Sequence, residues 1–246
     1  MKLAAHQPYY LPWAGYFSKM SMVDLFVFMD DVQFTHREYF NRARVLVQGV
    51  PKWLTVPVHG SKRKTLFETL LMTEGRSWLE AHFKTLKLNY SRALHGDEML
   101  GYIEAILGAF SMMQTSPGWS PSLADLTIPM VNSLAQLLGI ETCTINASRL
   151  EYEPALKSQR LINMCKAAGA DTYVAGSGGS RNYLDRDLFR KHGIKIEWQT
   201  FSCGKYEQYK AEEFIPGLSI VDLIANCGIQ YSRQYLKWWG HTYEEK

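Results

Sequence analysis

Long apolar runs are missing from this chain. No segment approaches the ~20 residues that a membrane-spanning helix requires, and Met1–His6 lacks the apolar core of a secretory signal. A cytoplasmic location is the resulting expectation. Cysteine is scarce and unpatterned. Cys143, Cys165, Cys203 and Cys227 form no C-x-x-C pair and stand near no histidine at zinc-finger spacing, so they read as reduced, mostly buried thiols. An excess of one charge is missing too. The chain has 27 Lys and Arg against 24 Asp and Glu, a formal charge of +3, which makes no bulk electrostatic case for nucleic-acid binding. Neither the GK[ST] ending of a P-loop nor the G-x-G-x-x-G dinucleotide fingerprint occurs. There is no internal repeat and no low-complexity tract.

Aromatic residues, by contrast, are abundant: 7 Trp, 14 Tyr and 11 Phe in 246 residues. Several crowd into one early loop, HQPYYLPWAGYF at residues 6–17. Two prolines stiffen this loop, because each fixes φ and removes an amide donor. Aromatic faces line sugar and nucleotide sites and also fill cores, so composition leaves both uses open.

Hydrophobic patterning predicts an α/β fold with a mainly parallel sheet. Lys2–His6 reads as a strand, Gln7–Ala14 as a loop, Gly15–Val23 as a helix and Leu25–Met29 as a buried parallel strand, together the size of a βαβ unit. Residues 45–58 read as a β-hairpin turning at Gln48-Gly49, and Leu66–Met72 as a further strand. A mainly helical insertion spans residues 75–138, with helices at Ser77–Tyr90, Asp97–Phe110 and Ser122–Leu138. Alternation then returns. Strands are expected at Glu141–Asn146, Thr172–Ala175 and Ile194–Phe201, the last half-exposed. Helices are expected at Leu156–Ala168, Asp185–His192, Ser219–Cys227 and Gln230–Trp239. The whole chain, residues 1–246, is expected to form one α/β domain.

Two loops follow apolar strands, one near each end of the chain, and open α/β sheets bind ligands beyond such strand ends. The first begins at His6, which is either a structural residue or an acid–base group. Tyr9, Tyr10 and Trp13 pave either a stacking surface or the core. The second loop, Gly176–Ser180, is either a tight turn or a cradle of amides for phosphate or carboxylate. Asp30-Asp31 ends the second strand and serves either to hold Mg²⁺ or sugar hydroxyls or to cap a turn. Arg42 offers a bidentate fork for an anion. The basic run Gly60–Lys64 is solvated surface or an anion clamp. Ser219 with Asp222 fits a helix N-cap pair, unless Asp222 reaches the crevice. Nucleotidylyltransferases carry H-x-G-H at the start of the helix after their first strand. Here Trp13-Ala14-Gly15-Tyr16 keeps the glycine and places aromatics at both histidine positions.

The blocks HQPYYLPWAGYFSKM, FVFMDDVQF, NRARV, YVAGSGGSRNYLD and FIPGLSIVDLIANCG together resemble the WbqC-like family, over residues 4 to about 228. Ala43 and the Ser180-Arg181 extension depart from the family pattern. The resemblance implies a role in bacterial O-antigen and other surface-polysaccharide synthesis, with a glycine-transferase activity on an amino sugar suggested for the family. On matching positions the candidate catalytic residues are His6, Asp30, Asp31 and Arg42. The candidate substrate-binding residues are Gln7, Tyr10, Trp13, Gly15, Tyr16, Gln33, Asn41, Gly176, Gly179, Tyr183, Ser219 and Asp222. No protein-bound metal is assigned. ATP and Mg²⁺ are implied if the chain activates a free carboxylate itself. The expected partners are small molecules: a nucleotide- or lipid-linked amino sugar and an amino-acid donor. Two other readings stand beside this one, a nucleotidyl-transfer enzyme of the H-x-G-H architecture and a non-catalytic sugar- or nucleotide-binding protein.

Overall fold

A computed structural model describes the chain except residues 36–37, 60–65, 73–76, 114–120, 177, 179–180, 182 and 245–246. β1 (Lys2–His6) and β2 (Leu25–Phe28) pair in parallel, Leu3 opposite Leu25 and His6 opposite Phe28. Their connection is α1 (Ala14–Met20), all seven residues of which are buried. The expected βαβ unit is present. Four further strands join the sheet: β5 (Cys143–Asn146), β6 (Thr172–Gly176), β7 (Lys195–Phe201) and β8 (Gly240–Glu244). The order across the sheet is β5-β2-β1-β6-β7-β8, parallel except for the β7–β8 pair. In chain order this is 3-2-1-4-5-6, the doubly wound arrangement, with its switch between the first and fourth strands. Those two strands are β1 and β6.

Both faces of the sheet are covered, which explains the unbroken apolar runs of β1 and β2. Alternate residues take opposite sides. Ala4, Phe26 and Phe28 face a core built with α1, the helical insertion and α7 (Ile220–Trp239). Leu3, Ala5 and Val27 face a second core built with α5 (Lys157–Ala167) and α6 (Arg186–Lys191). β7 is buried at residues 197–199 and partly open toward both ends, rather than exposed at alternate residues as its pattern suggested, and β8 pairs along its outer edge. Its two buried polar residues are paired: Glu197 accepts from Lys2 Nζ at 2.7 Å, and Gln199 Nε2 donates to the Gly15 carbonyl at 2.9 Å.

β3 (Arg42–Val47) and β4 (Val50–Thr55) form a separate two-stranded hairpin, beginning three residues before the expected start at 45. Gln48 and Gly49 both adopt positive φ, 53° and 79°, as a two-residue hairpin turn demands. Leu66–Met72 is not a strand. It holds a 3-10 turn at Phe67–Thr69 and only isolated bridges. Phe67 and Leu70 are both fully buried, and their three-residue spacing suits that turn rather than a pleat. The insertion carries α2 (Ser77–Tyr90), α3 (Gly96–Met113) and α4 (Leu123–Leu137), the last started by a Ser122–Asp125 capping box. α7 breaks at Gly228, φ 77°, where any Cβ would lie 2.9 Å from the His95 ring. The two expected terminal helices are the two arms of that break. Cys165 is buried and Cys203 and Cys227 are half-buried, but Cys143 on the edge strand β5 is exposed; all four are free. Among the described residues no helix is long and apolar enough to cross a membrane.

Asp222 ties the insertion, the hairpin and α7 together. It is fully buried and accepts hydrogen bonds from Tyr90 Oη at 3.0 Å, Tyr206 Oη at 2.7 Å and Gln208 Nε2 at 2.9 Å. Tyr90 Oη in turn accepts from the Leu46 amide of β3 at 2.8 Å. Burial raises the Asp222 pKa above the usual carboxylate range, against the lowering effect of its three donors. Removing the carboxylate takes the acceptor away from the Tyr90 and Tyr206 hydroxyls in the interior, while Gln208 Nε2 keeps its bond to the Ile215 carbonyl at 3.0 Å. Asp222→Ala is expected to cost about 3 kcal/mol in urea unfolding; a change below about 0.5 kcal/mol, the level of ordinary surface substitutions, would show that the hub carries no stability.

Candidate functional site

A cavity of about 540 Å³ opens at the carboxyl ends of β1 and β6, at the topological switch. Ala5, His6 and Gln7 reach it from the end of β1, and Trp13, Gly15, Tyr16 and Lys19 from the loop and α1. Leu156, Lys157, Arg160 and Leu161 reach it from the start of α5, Tyr173, Gly176, Gly178 and Tyr183 from β6 and its loop, and Gln199 and Phe201 from β7. The two strand-end loops therefore share one crevice.

The aromatic loop is held from both sides. The Tyr10 amide donates to the Tyr39 and Phe40 carbonyls, and the Ile220 amide donates to the Pro12 carbonyl at 2.8 Å. Tyr16 Oη donates to the Gln7 carbonyl at 3.1 Å. Tyr9 and Tyr16 stand edge-on to the His6 ring, with centroids 4.7 and 4.9 Å away. Trp13 meets Phe201 edge-on at 5.5 Å, closing one wall. Gly15 has a steric reason: a Cβ there would collide with the Trp13 indole, which folds back over the start of α1.

His6 Nδ1–H donates to the Gln7 carbonyl at 3.0 Å, because a carbonyl can only accept. This leaves Nε2 as an unprotonated acceptor. Burial, and then the charge of Lys19, lower the His6 pKa to about 3, against a small raising effect of the Gln7 bond. An imidazole so depressed is a hydrogen-bond acceptor and a weak base. Lys19 Nζ donates to the Ala5 carbonyl at 3.3 Å, and burial lowers its pKa to about 8. Arg160 forms an ion pair with Asp31, and its Nε–H donates to Tyr152 Oη at 3.1 Å. Tyr152 Oη donates to Asp31 at 3.1 Å, completing a triangle that orients the guanidinium.

Several expected site residues lie elsewhere. Asp30 is buried and holds Ser148, accepting from its amide at 3.0 Å and its hydroxyl at 2.6 Å. Asp31 stands behind Arg160 and does not line the cavity. The acidic pair is thus committed to protein partners, and among the described residues no group of three His, Cys, Asp or Glu is placed to hold a metal. Arg42 starts the hairpin, lies over Trp53 with 4.0 Å to the ring centroid, and donates to the Glu38 carbonyl. Asn41 donates to the Val56 carbonyl at 2.8 Å. Gln33 is exposed and bridges Leu66. Tyr10 is fully buried, with its hydroxyl 2.9 Å from His82 Nδ1. Ser219 caps α7, accepting from the Val221 amide, and Asp222 is the hub described above, outside the cavity lining. Gly179, His36-Arg37 and the basic run Gly60–Lys64 lie outside the described residues.

Of the candidate residues, His6, Gln7, Trp13, Gly15, Tyr16, Gly176 and Tyr183 border this one cavity. Sequence reasoning missed Lys19, Lys157, Arg160, Gln199, Tyr173 and Phe201. Lys19 left a trace: it falls three residues after Tyr16 and four after Gly15, on the same helical face.

The sequence pattern of the WbqC-like protein family matches residues 7–234, nearly the whole chain. This protein belongs to the WbqC-like protein family. A relative from Mycobacterium tuberculosis, the uncharacterized protein Rv1507c, is 34% identical over 241 residues, covering 96% of this chain and 98% of its own. No solved structure matches the chain. The WbqC-like match begins at Gln7 and so takes in both loops of the crevice and α1 with Lys19.

The half-buried His6 and the buried His82 carry a stability consequence. Burial lowers the pKa of His6 to about 3 and of His82 to about 4, from 6.5. Below pH 6.5 the unfolded chain binds protons that the folded chain refuses. Stability is therefore full above that pH and is lost as pH falls toward the folded values. Each ring removes up to about 1.4 kcal/mol per pH unit in that window. Urea unfolding of wild type and His6→Asn between pH 7 and 4 checks this. The variant is expected to show the shallower decline, and equal slopes would count against a neutral His6 in the folded protein.

Proposed function

We propose that this WbqC-like protein is a transferase that places an aminoacyl group such as glycine on an amino sugar during bacterial surface-polysaccharide synthesis, using the switch-point cavity for a phosphate-bearing ligand. The observation that carries this reading is the charge of the lining. Lys19, Lys157 and Arg160 border the cavity, and no carboxylate among the described residues does. Cations in a concave site favour phosphate and carboxylate, and the aromatic wall of Trp13, Tyr16 and Phe201 suits a base or a sugar ring. The volume is within the range of sites for drug-sized ligands, about 300–1,000 Å³.

Forming an amide from a free carboxylate requires activation, which ATP with Mg²⁺ would supply. The donor set fits the phosphates of such a nucleotide. It offers no acidic cluster for the ion, which would arrive on the phosphates. In this reading Arg160, aligned by Asp31 and Tyr152, binds an anionic group. Neutral His6 accepts a hydrogen bond from the sugar amine or a hydroxyl through Nε2. Trp13 and Phe201 exclude water from one side. A second reading, nucleotidyl transfer, is favoured by the 3-2-1-4-5-6 strand order and by Gly15 at the start of the helix after β1.

ATP–pyrophosphate exchange, run with Mg²⁺ and single amino acids, tests the proposal. Exchange that depends on one amino acid, glycine foremost, is the expected result. Exchange without any amino acid would favour plain nucleotidyl transfer. Its absence under every condition would overturn carboxylate activation by this chain and leave a preactivated donor or a binding role.

A further inference from the structure

Folding explains Lys19 least of all the cavity residues. It sits on a helix buried on every side and is itself 5% exposed. Its ammonium carries three N–H groups, and one hydrogen bond is present, to the Ala5 carbonyl at 3.3 Å. No described carboxylate pairs with it, and none borders the cavity into which it opens. A buried charge left without a counter-ion is costly, and a methionine would fill the same space without that cost. The remaining cations of the cavity come from the other side of the switch, on the first turns of α5. Arg160 is already aimed by Asp31. Lys157 holds a left-handed backbone, φ 52°, at a helix start that has no side-chain cap. Strain of this kind in a non-glycine residue collects at ligand walls.

We propose that Lys19 is the buried half of an anion clamp, its ammonium pairing with a phosphoryl oxygen of a diphosphate-bearing ligand while Lys157 and Arg160 of α5 complete the cationic set. This rests on the reading of the cavity as a phosphate-ligand site. It has a consequence that cation counting alone lacks. In the free protein burial lowers the Lys19 pKa to about 8. An anion alongside favours the charged form and reverses that effect. Ligand binding near pH 8 must then place a proton on Lys19, and near pH 6.5, where the amine is already protonated, it must not. The other groups around the cavity are His6 from β1, Tyr16 from α1, Lys157 and Arg160 from α5, and Tyr173 and Tyr183 from β6 and its loop. His6 is held neutral, and Tyr16 and Tyr173 are held protonated by burial, so these three keep their state across that range.

Titration calorimetry with ADP, in two buffers of different ionisation enthalpy at pH 8 and 6.5, tests the clamp on the whole chain. The wild type is expected to take up about half a proton per ADP at pH 8 and to lose that uptake at pH 6.5. Lys19→Met is expected to bind ADP at least about tenfold more weakly and without the uptake, and it reports any proton released by ADP itself. Lys19→Arg is expected to recover binding but not uptake, because a guanidinium stays charged. Lys19→Met binding ADP like wild type, with the same uptake, would overturn the clamp and leave the phosphate reading intact. A wild type that binds neither ADP nor pyrophosphate would overturn both.

Discussion

The parallel pairing of β1 with β2 on one side and β6 on the other is the constraint on which the site depends. The chain leaves β1 toward one half of the sheet and leaves β6 toward the other, so the loops at the two carboxyl ends diverge. The gap between them cannot be closed by either half alone. Everything in the crevice follows from this: an aromatic loop on one rim, a glycine-bearing loop on the other, and the first turns of α5 crossing beside them. The same topology explains why β1 is apolar from Leu3 to Ala5 and turns polar at His6, where the strand leaves the shelter of both cores.

The walls of this gap are fixed by interactions remote from it. The loop after β1 is bonded to the Tyr39–Phe40 segment and to the start of α7, and α7 is bonded through Asp222 to α2 and the hairpin. Gln199 of β7 holds the Gly15 carbonyl. Rigidity at the rim thus comes from the helical insertion and from β7 in the far half of the sheet. This places the function of the aromatic loop in two parts. Tyr10 turns inward to His82 and belongs to the core, whereas Trp13 and Tyr16 turn to the cavity.

Much of the framework was legible in the sequence, and the reasons differ by element. β1, α2 and the hairpin turn could be read because each has a strong local signal: a bounded apolar run, a helical period, a Gln-Gly pair at positive φ. The α/β alternation and the crevice rule placed each loop at a strand end but left open whether the two meet, because that depends on β1 and β6 being neighbours in the sheet. Lys19 could not, because its burial is decided by α7 and β8 packing around α1, residues more than 200 positions away. β8 has no local strand signal and exists by pairing with β7. The acidic pair Asp30-Asp31 stood open between a metal or sugar site and a turn cap because sequence does not show Ser148, Tyr152 and Arg160 arriving from the segment after β5. Asp222 looked like a capping residue for the same reason, since its three partners are distant in sequence. In each miss a long-range polar partner claimed a group that local spacing left open.

A crystal structure of the protein with ADP bound tests the central claim most directly. The account predicts the diphosphate in the crevice between the ends of β1 and β6, within hydrogen-bond reach of Lys19 and of at least one of Lys157 and Arg160. ADP seated instead in the basic cleft of Lys84, Lys87, Arg92 and Lys210, with the switch-point crevice holding none of its phosphates, would contradict it.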